Sequence, residues 1–391
     1  MKYIKFYTSV LIAALAIFNY SCSNGEEDLL ESKLYFENNT IKIETEEDTY
    51  DCEIVSRLSG KAGNDVNVTY SVGGQELVDI YNQKHGTTAQ LLPEANYELV
   101  ENSSLIKSGD IYASPCDLNL KNITKGEEGV TYVLPLLVNS SDISIMSGEN
   151  VAYVVVKKPV IINKVYGFSP YWLDVRLPAK FKSVQSVTYE ALVYATSWNM
   201  LGTIMGNEGV LIMRTGDLNH PANELQIAGN VQLQMPDVSA WTVNKWYHIA
   251  FTYDASSGIA TLYLNGNKLV DKTVGSVSFD LNSRFCIGYA YDYDSKRKWN
   301  GYMSEVRLWS VARTANQLKE SMLYVDPNTA GLEGYWKLNG EDYENREGVW
   351  YVLDQTKNHN DATSNSGRRG DTGGTQTFTE PNVVEMRVKI E

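Results

Sequence analysis

Short runs of β-forming residues, each closed by turn residues, recur along most of this chain, and that rhythm restricts it to an all-β architecture. In the first half the runs start at Leu34, Thr40, Cys52 and Val66, with Ser59-Gly60 and Gly73-Gly74 between them. They resume from Tyr97 to Val100, Asp117 to Leu120, Tyr132 to Val138 and Val151 to Val156. About seven such strands fit an immunoglobulin-like β-sandwich. One helix interrupts the series. From Gln75 to Lys84, Leu77, Ile80 and Tyr81 sit at i, i+3 and i+4 and predict one apolar stripe, which His85-Gly86 ends.

The second half carries stronger signals. Val187 to Ala195 reads as a strand, and Trp246 to Tyr253 as a long aromatic one. Ile259 to Leu264 follows, and Asn265-Gly266 predicts a tight hairpin because both residues tolerate the positive φ of a type I′ turn. Phe285 to Tyr289 and Gly301 to Trp309 extend the series, and Thr314 is placed to cap a short helix. So many antiparallel strands predict a jelly-roll sandwich. Its tail, from Leu332 onward, is expected to fold back into the same sandwich.

The segment Lys157-Lys158-Pro159 separates the halves, giving domains at residues 33–158 and 164–391. All eight Trp lie in the second. With 43% hydrophobic residues the chain has material for two cores. A net charge of −14 argues against nucleic-acid partners, which need a basic surface to displace counterions from phosphates. Most of that acidity lies in residues 23–54, so it says little about the rest of the surface.

Ahead of the domains, Lys2 and Lys5 precede an uncharged, mostly apolar run from Phe6 to Tyr20. The run is short for a membrane span and suits a signal-peptide core, so residues 1–21 are expected to be removed. Ser21-Cys22 resembles a bacterial lipoprotein cleavage site, with Asn19 where an aliphatic residue is usual. The acidic residues 22–32 after it resemble the surface-export signal of Bacteroidetes lipoproteins. Cys22 is therefore the expected lipidation site, holding the protein at the outer membrane and facing the cell exterior. An exported compartment also permits a Cys52–Cys116 disulfide, although a buried free Cys packs equally well as a small hydrophobe.

Two family resemblances sharpen the fold. Val78-Asp79-Ile80-Tyr81-Asn82, His85-Gly86-Thr87, Leu92-Pro93-Glu94 and Tyr132-Val133-Leu134-Pro135-Leu136 resemble a domain of unknown function common in Bacteroidetes surface lipoproteins. The same domain precedes the catalytic domain of some endo-β-N-acetylglucosaminidases, and the resemblance implies an accessory module. Trp246-Tyr247-His248-Ile249-Ala250-Phe251-Thr252-Tyr253-Asp254, then Leu262 to Gly266, then Gly301 to Trp309, resemble the laminin-G and concanavalin A-like lectin superfamily. Ser304 stands where that family usually has Asp, which weakens any site carried over there.

Three chemistries are open to these residues. A glycan site needs aromatic faces for sugar C–H patches and polar partners for the hydroxyls. Tyr291, Asp292, Tyr293, Asp294 and Trp299 lie in a segment too polar for a core strand and too aromatic for an ordinary loop, residues 197–220 offer Trp198 and Arg214, and Trp350 stands in another polar loop. A Ca²⁺ site would need a shell of hard oxygens, and Asp354 with Asn358 and Asn360, or Asp292 with Asp294, are the candidates; as turn residues they would instead bond their own backbone. Glycoside hydrolysis needs two carboxyls across the bond, yet neither Glu-x-Asp-x-x-Glu nor Asp-x-x-Asp-x-Asp-x-Glu occurs. The expectation is a non-catalytic glycan-binding lipoprotein of a glycan-utilisation system. The alternatives are a protein-interaction subunit of an outer-membrane uptake complex and a hydrolase with an unrecognised site.

Overall fold

The computed structural model describes residues 31–127, 129–282, 284–290, 297–368 and 375–390. Cys22 and Tyr291 to Asp294 lie outside them. The chain divides into two compact units, Met1–Pro159 and Val160–Glu391. Both are built almost wholly from strands.

In the first unit a sheet runs in the order Thr40–Glu44, Val151–Lys157, Thr131–Asn139, Val66–Val72, Ser103–Ile106, with Gln90–Leu91 also on Thr131–Asn139. A three-stranded sheet, Thr49–Ile54, Cys116–Lys121 and Tyr97–Leu99, and the pair Leu34–Phe36 with Ser56–Leu58 complete the sandwich. Alternation does the sorting: Val66, Val68 and Tyr70 turn inward while Asn67 and Thr69 face water. Their inward faces meet around Phe36, Ile54, Leu118, Leu136 and Val154. Cys52 and Cys116 also point into this core as free thiols. They sit diagonally rather than opposite, because Cys52 pairs with Leu118 and Ile54 with Cys116.

The helix spans Gln75–His85 and ends where Gly86 adopts φ 65° and donates its N–H to Asn82 O. Its buried stripe is Val78 and Tyr81, against Val133 and Val155. Ile80, expected on that stripe, instead faces solvent. Val78 and Tyr81 are three apart and share a face that Ile80 leaves.

The second unit is a sandwich of two large sheets. One runs Asn267–Thr273, Ile259–Leu264, Trp246–Asp254, Val187–Ala195, Gly301–Trp309, Lys164–Gly167, Val383–Glu385, with Leu332–Trp336 also on Gly301–Trp309. The other runs Leu233–Gln234, His220–Gly229, Leu211–Asp217, Gly202–Asn207, Arg284–Ile287, Trp172–Arg176, Ala362–Gly367, Val349–Val352, Tyr343–Arg346. Tyr189, Phe251, Leu262, Met213, Phe285 and Trp336 fill the space between them. Tail strands enter both sheets, so the tail is part of the sandwich.

Asn265 and Gly266, at φ 48° and 70°, form the hairpin turn between Leu264 and Asn267. A Cβ on Gly266 would lie 2.9 Å from Lys319 Cα, so the glycine also lets the short helix Ala315–Glu320 approach. Thr314 caps that helix in a reciprocal box with Gln317.

Candidate functional site

The strand Val187–Ala195 feeds a loop that carries Trp198. Neighbouring backbone fixes this loop from two sides. Thr196 N donates to Asn300 O at 2.9 Å, and Asn199 Nδ2 to Lys298 O at 3.0 Å. Thr215 Oγ1 donates to Asn199 O at 3.2 Å, tying in the end of the strand Leu211–Asp217. Trp198 leans on Trp241 (ring centroids 4.7 Å) and meets Trp299 edge-on at 6.4 Å. Trp241 and Trp299 are buried, and Trp198 is the half-buried outer member of the tier. The inner rings hold the outer one rigid.

Arg214 lies on the adjoining strand, paired with Thr203 and Gln226. Its Nη2 bonds Asp217 Oδ2 at 2.6 Å and its Nη1 stands 3.8 Å from Glu208, while buried Nε has no partner. Gly216, at φ 64°, makes the bulge that separates Thr215 from Asp217. There a Cβ would meet Ala222 Cα at 2.9 Å. Beyond it the turn puts Leu218 at 90% exposure, and Met200 is also exposed. His220 Nδ1 and Glu224 pair at 2.6 Å, and Gln226 Nε2 donates to Glu224 at 2.8 Å. One loop cluster thus combines a fixed, partly open indole with a charged fork and exposed apolar residues.

The structure sorts the other candidates. Trp299 is 2% exposed and belongs to the core, so it backs Trp198 and offers no face to a ligand. Trp350 lies elsewhere, on the edge hairpin formed by Tyr343–Arg346 and Val349–Val352, with its ring 5.9 Å from Tyr343. Asp354, Asn358 and Asn360 form a turn in which the Asp354 carboxyl and both Asn side-chain amide N–H groups are already hydrogen-bonded. Asp354 accepts from the amides of Tyr335, Thr356 and Asn360 and from Thr356 Oγ1, all at 2.8–2.9 Å. Asn358 and Asn360 donate their side-chain amides to Glu333 O. These residues do not fit a Ca²⁺ shell, which would need the same oxygens turned outward. Among the described residues no group of three His, Cys, Asp or Glu could hold a metal ion.

A second charged constellation escaped the sequence reading. Glu190 sits opposite Arg307 in the sheet, and His248 lies on the other neighbouring strand. Glu190 accepts from Trp309 Nε1 (2.6 Å) and Arg313 Nη1 (2.9 Å) and faces His248 Nε2 at 3.0 Å. Arg307 also bonds Glu305, which takes the Tyr335 hydroxyl, and donates to Ser321 O at 2.8 Å. Burial alone would raise the Glu190 pKa, but Arg307, His248 and Arg313 outweigh it and hold the carboxyl well below its ordinary range. Burial keeps His248 neutral, lowering its pKa against the pull of Glu190. Glu190, His248 and Arg307 are all 0% exposed, so no substrate reaches them, and the network serves to lock four strands and the segment after Ala315–Glu320 together.

Comparison with known proteins places both units. Residues 30–145 match a family model described as an N-terminal domain, and residues 174–319 match the concanavalin A-like lectin/glucanases superfamily. A crystal structure from Bacteroides ovatus, named as a candidate carbohydrate binding protein, is 36% identical over 92% of this chain and 100% of its own, with a TM-score of 0.62. This chain belongs to that family. The two matches, at residues 30–145 and 174–319, agree with the two motif resemblances. Bacteroides thetaiotamicron EndoBT-3987 is 19% identical over 32% of this chain and 30% of its own, with a TM-score of 0.28. That likeness is too slight to carry an argument. No curated protein matches.

Proposed function

We propose that this protein is a non-catalytic carbohydrate-binding lipoprotein, part of a glycan-utilisation system, that holds a sugar chain at the loop cluster of Trp198 and Arg214. The observation that carries the reading is the fixed, half-buried Trp198 bonded through its own loop to the strand of the Arg214–Asp217 fork. An indole face suits the C–H patches of a pyranose, and the Arg214–Asp217 fork, on the strand tied to its loop, suits its hydroxyls. The name of the Bacteroides ovatus relative supports the same reading.

A glycan array with residues 23–391 tests it. Specific binding without turnover is expected, and Trp198→Ala should weaken it about 30-fold or more, the effect of removing a central aromatic anchor. Full affinity in that variant would remove the site, and product release abolished by one carboxylate substitution would replace binding by catalysis. Exposed Leu218 and Met200 favour a second reading, a protein-docking loop in an uptake complex. Silence across the array would transfer the weight to it.

The anchoring half of the proposal rests on Cys22 and the apolar run before it. Cys22→Ala should release the protein to the medium or trap an uncleaved precursor, read by fractionation and blotting. Normal processing with unchanged membrane retention would reject lipidation.

A further inference from the structure

The first unit carries an outward row of side chains on the face opposite its core. Tyr35 pairs with Arg57 across Leu34–Phe36 and Ser56–Leu58, and Arg57 pairs with Tyr112 through an isolated antiparallel bridge. Leu34, Phe36, Ser56, Leu58 and Ala113 point the other way and are buried. Alternation therefore sets Tyr35, Arg57 and Tyr112 side by side on the opposite face.

The row is held in place. The Arg57 guanidinium stands 5.8 Å from the Tyr35 ring centroid and 4.6 Å from that of Tyr112. Nη1 donates to Tyr112 Oη at 2.8 Å and more loosely to Glu37 Oε1 at 3.5 Å. These contacts fix the geometry yet leave Tyr112 46% exposed. The Arg57 and Glu37 side chains stay 26% and 37% exposed.

We infer that this row is a second carbohydrate-binding surface, separate from the Trp198 loops and suited to a neutral glycan. Two tyrosines on strands once removed are about 10 Å apart, twice the strand spacing, so one extended ligand can reach both. The tyrosines offer apolar faces to sugar C–H groups. Between and beside them Arg57 donates hydrogen bonds to hydroxyl oxygens, and Glu37 accepts them from hydroxyl O–H groups. Glu37 offsets the Arg57 charge, which favours a neutral chain over an acidic one. Because the side chains are pre-organised, little ordering is lost on binding.

The test is affinity electrophoresis of the full chain through gels of mixed-linkage β-glucan, xylan, galactomannan and α-mannan. Trp198→Ala protein should still be retarded by at least one polymer. Adding Tyr112→Ala or Arg57→Ala should weaken that retardation about tenfold or more, as expected for losing an aromatic or Arg anchor. Tyr112→Phe, which keeps the ring, should retain most of it, and thermal melting should show each variant folded. Two results would overturn the inference: no retardation of Trp198→Ala protein by any polymer, or retardation indifferent to both Tyr112→Ala and Arg57→Ala. The loop-site reading fails separately, if Trp198→Ala binds as the parent does while Tyr112→Ala does not.

Discussion

Replacing Glu190 with Ala should destabilise the second unit by about 3–5 kcal/mol, the usual effect of removing one partner from a buried ion pair. Glu190 faces two guanidiniums, Arg307 and Arg313, and takes the Trp309 indole N–H. Without it both cations keep their low-dielectric surroundings and lose the anion opposite them. Arg307 retains Glu305, so Arg313 is left the more exposed to this loss. Arg313 would also lose what orients it over the Trp309 ring, 4.2 Å away. Denaturant unfolding followed by Trp emission isolates the second unit, because the first contains no Trp. A change below about 1 kcal/mol would mean that water or rearrangement repairs the network.

The same cluster sets an acid limit. Native His248 resists protonation, so as pH falls below about 6.5 the unfolded chain binds a proton that the folded chain does not, and stability falls. Glu190 acts in the same sense lower down: its stabilisation is present above the ordinary Glu range and is lost as pH drops through it. Glu305 opposes them, since burial raises its pKa and its contribution weakens as pH rises. Between pH 7.5 and 5 His248 lowers the stability while Asp342 and Asp354, also raised by burial, act with Glu305 against it, and the loss at Glu190 comes only below that window.

What the sequence made legible was local. Val187 to Ala195 and Ile259 to Leu264 form the strands expected there, and Asn265-Gly266 and Gly86 terminate elements as their φ freedom allows. What it hid was register. Glu190 and His248 are 58 residues apart, and only the pairing of Val187–Ala195 with Trp246–Asp254 brings them together. Trp299 looked exposed because charged residues precede it, but tertiary packing against Trp198 decides its side. Asp354 resembled a cation ligand because Asx-rich loops and Ca²⁺ loops share a composition. The Tyr335 amide that claims its oxygen comes from a different strand. Short strands such as Lys164–Gly167 and Trp172–Arg176 were missed for the same reason: their partners lie far along the chain.

Trp336→Ala should be comparably severe, at about 3–5 kcal/mol for a large aromatic deleted from a packed core. Trp336 lies beyond residue 319, where the superfamily match ends, yet it is fully buried between the sheets. Its ring stacks on Phe285 at 5.9 Å, and its Nε1 donates to Asn360 O at 3.0 Å. Opposite Val306 in the sheet, it ties the tail to the strand that carries Arg307. The alanine variant loses the ring's buried surface, opens a cavity beside Phe285 and leaves a buried carbonyl without that donor. Trp336→Phe separates the two losses: it keeps part of the packing and removes only the hydrogen bond and the second ring. It should therefore fall between the alanine variant and the parent in the same Trp-emission unfolding titration. A tail that merely decorated the sandwich would predict the opposite, an unfolding midpoint unmoved by either substitution.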